Sequence, residues 1–241
     1  MKRTARFFAA AVVAALALAA CSQENAPSDA IKDAADTVVD KVEGSEPVKL
    51  APGKYAPRDE CADVPGAQAF RAELAAAVTA RDADRLVALA APDVTLDFGG
   101  GAGAATLRQR LAAAQPDLWA ELEELTALGC AKNEQGGITL PWYFAHTPGD
   151  IDPASAMIVT GEAVPLLERA ADGAAERARI SWDLVDLENG LQPGAPYQAV
   201  VTSDGTAGFI ETARLRSVLD YRLVASSRDG KWSFTSFVAG D

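Results

Sequence analysis

Residues 70–100, FRAELAAAVTARDADRLVALAAPDVTLDFGG, contain two short helical patterns in succession. In the first, apolar side chains at positions 70, 74, 77 and 78 recur every three or four residues, as on one face of an amphipathic helix. A second run of apolar residues follows at 86–90. Asp82 or Asp84 is placed to cap it, because an aspartate at a helix start accepts backbone N–H groups. The stretch therefore predicts a pair of packed helices.

The chain on the C-terminal side of this pair alternates strand and helix signals. Residues 94–98 alternate between apolar and polar side chains, which predicts a half-buried strand. Glycines then mark a turn, Thr106 begins a second helical stretch with capping-box spacing, and Gly129 is a suitable helix stop. Residues 138–144 alternate again, and Pro141 restricts that strand to an edge or a bulge.

The order helix, helix, strand, glycine turn, helix, helix, strand over residues 67–145 resembles the nuclear-transport-factor-like (cystatin-like) α+β fold. The resemblance implies a curved antiparallel sheet wrapped around the helices and closed by a long hairpin. Residues 220–241 alternate on both sides of Asp229–Gly230 and resemble that hairpin. We therefore expect an α+β unit over residues 61–150, with residues 218–241 as the candidates for its last strands.

Residues 155–217 carry a different signature. Short apolar runs at 156–160, 182–187, 197–201 and 208–210 are separated by Asn-Gly, Pro-Gly and Asp-Gly turns, which predicts a small barrel. VTGEAVPLLERA and YQAVVTSDGTAGFIETARLRS within this range resemble the bacterial Src-homology-3 domain, although the first loop, residues 167–173, departs from that family. The expected fold class is α+β, a helical N-terminal unit with a curved antiparallel sheet plus a small all-β Src-homology-3-like barrel. The barrel is either an insertion in the α+β unit or is extended by the terminal hairpin.

The first 21 residues have the features of an export signal. Three basic residues precede an uncharged run over residues 7–20, which would span about 21 Å as a helix, short of the roughly 30 Å of a bilayer core. This pattern predicts a signal peptide over residues 1–20. Leu-Ala-Ala-Cys, ending at Cys21, resembles the lipobox of bacterial lipoproteins and implies acylation of Cys21 by palmitate-type chains. The alternative is an ordinary secretory peptide cut near Ala20.

Residues 21–60 are rich in Ala, Pro, Ser, Asp and Glu, which predicts a lipidated flexible tether. Ser22 resembles the residue that follows the cysteine in lipoproteins sent to the outer membrane, where Asp would favour retention at the inner membrane. We therefore expect the protein in the cell envelope, anchored by lipid at the periplasmic face of the outer membrane.

The composition excludes several kinds of partner. With 22 Lys+Arg against 34 Asp+Glu, the formal net charge is -12, so nucleic acid would be repelled. One His and three Cys are too few for a structural zinc site, and no metal or cofactor is expected.

Cys61 and Cys130 are the remaining cysteines if Cys21 is acylated. Outside the cytoplasm a disulfide is the favoured pairing, and the loop of about 70 residues that it closes would contribute roughly 4 kcal/mol. Two unpaired buried thiols are the alternative.

No residue is predicted to be catalytic. Asp97 is the best-placed acid. Its position in the alternating strand 94–98 directs its side chain away from the expected interior between the helices and the curved sheet. His146 is predicted on a surface loop without a paired acid or nucleophile. Glycines at 99–103 lack the acidic residue that a dinucleotide fold needs about twenty residues later, so a tight turn explains them better.

Trp182, Tyr197 and Phe209 of the barrel are the candidate ligand-binding residues, because the Src-homology-3 resemblance implies recognition through exposed aromatic and loop side chains. The sequence thus predicts a non-catalytic, lipid-anchored envelope protein that binds a protein or peptidoglycan partner through its barrel. The alternative is a periplasmic small-molecule-binding protein or enzyme that uses a pocket between the helices and the curved sheet of the α+β unit.

Overall fold

The computed structural model describes residues 50–240, which belong to one compact unit. The predicted signal peptide, the lipidation site Cys21 and most of the predicted tether lie outside the described residues. None of the helices between residues 50 and 240 is long and apolar enough to cross a membrane. The described part is an α+β structure with two open, mostly antiparallel sheets.

The first two helices are α1 (Ala67–Thr79) and α2 (Ala83–Ala88). The predicted apolar face of α1 is buried, including Phe70 and Leu74. Asp82 is the N-cap of α2, because its carboxylate accepts the N–H groups of the second and third helical residues. The sequence therefore predicted both helices.

The next two helices are α3 (Gly103–Leu111) and α4 (Leu118–Ala127). α3 begins three residues before the predicted start at Thr106, and its N-cap makes no side-chain hydrogen bond. α4 is capped by Asp117 and is followed by Gly129 at φ 80°. A side chain at Gly129 would collide with the backbone of Arg58, so glycine is needed there for space as well as for conformation.

Twelve strands follow one another along the described chain. They are β1 (Ala90–Thr95), β2 (Ala131–Lys132), β3 (Ile138–Leu140), β4 (Ala156–Val159), β5 (Val164–Leu167), β6 (Glu176–Ile180), β7 (Leu184–Leu187), β8 (Tyr197–Thr202), β9 (Ala207–Glu211), β10 (Leu215–Ser217), β11 (Arg222–Arg228) and β12 (Lys231–Val238).

The first sheet has the strand order β1-β12-β11-β3-β2. Its pairs are antiparallel except β1 with β12. β11 and β12 form the predicted hairpin, with Asp229 and Gly230 both at positive φ, the conformation that a tight two-residue turn requires. The helices pack on this sheet around a core that contains Leu74, Leu107 and Phe234.

Two predicted strands end earlier in the structure: the strand predicted over residues 94–98 is shifted to Ala90–Thr95, and the one predicted over residues 138–144 is shortened to Ile138–Leu140. β1 ends at Thr95, and Phe98, predicted on the buried face of that strand, is instead 58% exposed. β3 ends before Pro141, and Trp142–Ala145 form a 3-10 helix instead of continuing the strand. Proline has no N–H to donate to a neighbouring strand, which favours ending the strand there.

The second sheet is antiparallel throughout, with the order β10-β4-β7-β8-β9-β5-β6. Apolar side chains from six of its strands form one buried cluster, so the sheet curves around them. The predicted closed barrel is not formed, because β6 and β10 are edge strands in the described part of the chain. β10 has only three residues and β6 exposes charged side chains, which is typical of unpaired edges.

A third buried cluster joins the two sheets. It lies where the end of α4 and the 3-10 helix meet β4, and it contains Leu128, Trp142, Tyr143 and Ile158. Since β4 to β10 lie between β3 and β11 along the chain, the second sheet is connected to the first at both of its ends.

The structure joins Cys61 to Cys130 by a disulfide, with Cα atoms 5.8 Å apart. Both side chains are fully buried, and the backbone N–H of Glu60 donates to the carbonyl of Cys130. Asp59 is the third side chain near the two sulfurs, but disulfide sulfurs are not thiolates and do not provide metal ligands.

Candidate functional site

Tyr197 and Phe209 lie on the exposed face of the second sheet. They belong to the paired strands β8 and β9, in which Tyr197 is opposite Glu211 and Ala199 is opposite Phe209. Alternate residues of the same strands, including Val200 and Ile210, are fully buried in the sheet's core. The two aromatic residues are therefore diagonal neighbours on the outer face, close enough to contact one ligand.

A groove of about 550 Å³ lies beside Tyr197. Its walls come from the loop after β5, the start of β8 and the end of β9, and its lining residues are Asp172, Pro196, Tyr197, Glu211, Thr212 and Ala213. The Tyr197 hydroxyl donates a hydrogen bond to the carboxylate of Asp172. The loop that departs from the Src-homology-3 pattern thus contributes an acidic side chain to the groove.

The charge of this groove is negative. Asp172 and Glu211 form no ion pair with any residue of the described chain. The hydrogen bond to Asp172, together with burial and the nearby Glu211 carboxylate, raises the pKa of Tyr197 to about 12. Tyr197 therefore stays neutral, and an aromatic face between two carboxylates attracts a cationic group.

Trp182, the third candidate ligand residue, lies elsewhere. It precedes β7 at φ 43° and packs at the edge of the cluster that joins the two sheets. Its backbone carbonyl accepts a hydrogen bond from Tyr55, and its N–H donates to Gly161. The structure thus places Tyr197 beside Phe209, and it places Trp182 against Gly53 and Tyr55, near the start of the described chain.

Asp97 organises the glycine turn. Its carboxylate accepts the N–H groups of Gly99 and Gly101 and forms an ion pair with Arg110 of α3. The hydrogen bond from Arg110 holds the pKa of Asp97 below its usual range, so the carboxylate stays ionised and is a poor general base. A side chain at Gly101 would collide with both partners, which explains this glycine without a bound nucleotide.

His146 is a half-exposed residue at the end of the 3-10 helix. Its ring stacks on Trp142 with centroids 4.2 Å apart, and Nε2 lies 3.2 Å from a carboxylate oxygen of Glu60. No nucleophile belongs to this group among the described contacts, so the arrangement resembles a surface ion pair more than a catalytic pair.

Among the described residues, no acidic side chain is buried between the helices and the first sheet. Of the described residues, the buried polar ones are Thr139, Gln198 and Arg216. The space between the helices and the first sheet is filled by apolar side chains and the disulfide. This packing offers no group for proton transfer to a ligand bound between the helices and the first sheet.

Arg216 is the centre of a charged cluster that sequence reasoning missed. Its side chain is 4% exposed on β10, and it forms ion pairs with Glu121 and Glu124 of α4 and with Asp220. Burial, followed by repulsion from Asp220, raises the pKa of Glu121 above its usual value. These partners are separated by as many as 95 residues, so no local pattern could have revealed the cluster.

The chain matches no protein-family model, and no curated protein and no solved structure is significantly similar to it. The candidate site is therefore defined by geometry and charge alone.

The site that these observations favour is the groove of Asp172, Tyr197 and Glu211 with Phe209 beside it. The disulfide, the Asp97 turn and the Arg216 cluster have partners within the fold that account for them. The groove is instead an open concave surface lined by Tyr197 and by two carboxylates that form no ion pair in the described chain, and such a surface can bind a ligand.

Proposed function

We propose that the protein is a non-catalytic, lipid-anchored component of the bacterial cell envelope that binds a protein or peptidoglycan partner through its second sheet. The anchor is Cys21, and the location is the periplasmic face of the outer membrane. The Leu-Ala-Ala-Cys motif and Ser22 support the anchor and the location. The resemblance of residues 155–217 to bacterial Src-homology-3 domains supports the binding role.

The observation that carries the binding role is the groove between Asp172, Tyr197 and Glu211. Two carboxylates on one exposed face, with no basic side chain among the lining residues, leave negative charge that a partner can neutralise. The partner group is accordingly a positively charged one, such as a lysine, an arginine or a free amine, with its carbon chain against Tyr197.

The anchor is tested by growing cells with labelled palmitate. The full-length protein should carry the label, and a Cys21→Ala variant should lose it, because the acyl chains are attached to the thiol of Cys21. Label on neither protein, or equal label on both, would reject Cys21 as the anchor.

The binding role is tested with a lipid-free form that begins at Ser22. We expect this form to be retained on purified sacculi or on a defined fraction of envelope proteins. Tyr197→Ala, and separately the pair Asp172→Asn and Glu211→Gln, should weaken retention about tenfold, because residues at the centre of an interface dominate its affinity.

Glu134→Gln is the matched control for the charge changes. Glu134 is exposed in the turn between β2 and β3, so this variant removes one carboxylate charge away from the groove and is compared with Asp172→Asn and Glu211→Gln made singly. It should bind like the unchanged protein. Retention on neither material, or groove variants that bind as well as Glu134→Gln, would count against the proposed function.

A further inference from the structure

Two phenylalanine rings are exposed on a surface formed by other elements than the groove. Phe98 follows β1 and is 58% exposed, and Phe144 of the 3-10 helix is 36% exposed. The guanidinium of Arg222 lies 5.6 Å from the Phe98 ring centroid and 4.6 Å from that of Phe144. Arg222 also donates to the carbonyl of Gly240, so it fixes both rings against the sheet.

An apolar furrow continues this surface from Phe144. It has a volume of about 280 Å³, and its lining residues are Phe144, Thr147, Pro148, Gly149, Ile151, Pro153, Val218 and Leu219. None of these side chains is ionisable, although the whole chain has 34 acidic residues. Asp152, in the same loop, instead accepts a hydrogen bond from the backbone of Ala154. We call Phe98, Phe144 and the furrow the aromatic face.

The described chain begins beside this face. Leu50 is 55% exposed, and the next residues lead to Gly53, which is packed tightly against Trp182. Trp182 borders the same cluster as Ile151 and Leu219 of the furrow. The segment that leads to Cys21 therefore joins the body next to the aromatic face.

We propose that the aromatic face rests on the lipid bilayer to which the protein is anchored, with Phe98 and Phe144 in the interfacial region. This inference rests on the proposed lipid anchor at Cys21. Residues 21–49, even fully extended, reach only about 100 Å, so an anchored body stays close to the lipid. An anchor that holds the protein at the membrane makes the contact between the aromatic face and the lipid intramolecular. Burial of a few apolar side chains is then sufficient to keep this face on the bilayer.

Charge favours a bilayer at this face. An acidic protein is repelled by anionic headgroups, and the repulsion is smallest where the contacting surface lacks ionisable groups. The lining of the furrow has no ionisable side chain, and the Arg222 guanidinium that contacts both rings is a cation, whereas the Tyr197 groove has two carboxylates. The aromatic face and the groove share no lining residue.

Depth-dependent fluorescence quenching tests the orientation. Phe98→Trp and Phe144→Trp are introduced separately into a form that begins at Ser22 and carries an N-terminal polyhistidine tag. The tag binds chelating lipids in phosphatidylethanolamine–phosphatidylglycerol vesicles whose acyl chains are brominated. The added emission, relative to the unchanged protein with its four tryptophans, should fall at least about twofold, because bromine quenches only tryptophans that reach the interface.

Leu191→Trp is the matched control, because Leu191 is also exposed, at 49%, but lies in the loop between β7 and β8. Its emission should be unchanged by brominated lipid. Absence of quenching at positions 98 and 144, or equal quenching at position 191, would overturn the proposal and leave the aromatic face as a candidate protein interface. Because the chelating lipid replaces the acyl anchor, failure here is distinguishable from failure of the palmitate experiment.

Discussion

Replacing both Cys61 and Cys130 with alanine is expected to lower the free energy of unfolding by about 4 kcal/mol. The disulfide joins residues separated by 69 positions, and the closed loop contains β1 and the four α-helices of residues 50–240. The cross-link limits the conformations of the unfolded chain, and this limit grows with loop length. Because whole domains are typically stable by only about 5–15 kcal/mol, the double variant should be close to unfolding at growth temperature. Urea denaturation of the form that begins at Ser22 measures the change.

Reduction of the unchanged sequence is the control for this variant. Both sulfurs are fully buried, so a reductant must be added under unfolding conditions to reach them. Both lack the cross-link, so the reduced protein should show most of the loss of the alanine pair, which in addition loses the packing of two buried sulfur atoms. A stability unchanged by either treatment would contradict the prediction.

Replacing Arg216 with methionine is expected to cost about 3 kcal/mol, at the lower end of the range for breaking a buried ion pair because Glu124 is largely exposed. Methionine preserves much of the side-chain length and removes the charge. Glu121, Glu124 and Asp220 then repel one another without a cation between them. Chemical denaturation at pH 7 measures the loss.

The pH dependence gives an independent check on this variant. Burial and repulsion from Asp220 already raise the pKa of Glu121 in the folded state, and loss of the Arg216 cation, which lowers it, raises this pKa further above that of the unfolded chain. The folded variant then binds more protons than the unfolded one, so its stability falls as pH rises above about 4.5. The difference in free energy of unfolding between the unchanged protein and Arg216→Met should therefore be larger at pH 7 than at pH 4.5.

Arg108→Met is the matched control for Arg216→Met. Arg108 forms an ion pair with Asp84, but both side chains are at least half exposed. Exposed pairs contribute at most about 1 kcal/mol, so this variant should be nearly neutral. Equal losses for the two variants would show that the Arg216 cluster is not a buried electrostatic contact.

Local patterns predicted the elements whose signals are short in range. The α1 stripe, the Asp82 helix start and the Asp229–Gly230 hairpin depend on residues within a few positions of one another. β5 and β6 were missed. Pro165 is an unusual residue inside a strand, and the charged side chains of β6 conceal its alternation because this strand lies at the edge of the sheet.

The candidate site was only partly accessible to sequence reasoning. Tyr197 and Phe209 were candidates because of the Src-homology-3 resemblance, but the groove also needs Asp172, which comes from the loop after β5 and is 25 residues away from Tyr197 in the sequence. Phe98 was expected in the core because its parity matched Val94 and Leu96. The Asp97 carboxylate accepts the N–H groups of Gly99 and Gly101, so the chain turns there and the alternation ends. Phe98 is therefore largely exposed.

The two central strands of the first sheet, β12 and β11, are the last two strands of the described chain. β1 and β3 do not pair with each other and are joined only through this hairpin. While the ribosome still holds β11 and β12, the sheet lacks its centre, and the core around Leu74 and Leu107 cannot close. Folding of this core must therefore wait until both strands have left the ribosome, although the helices that pack in it are made earlier.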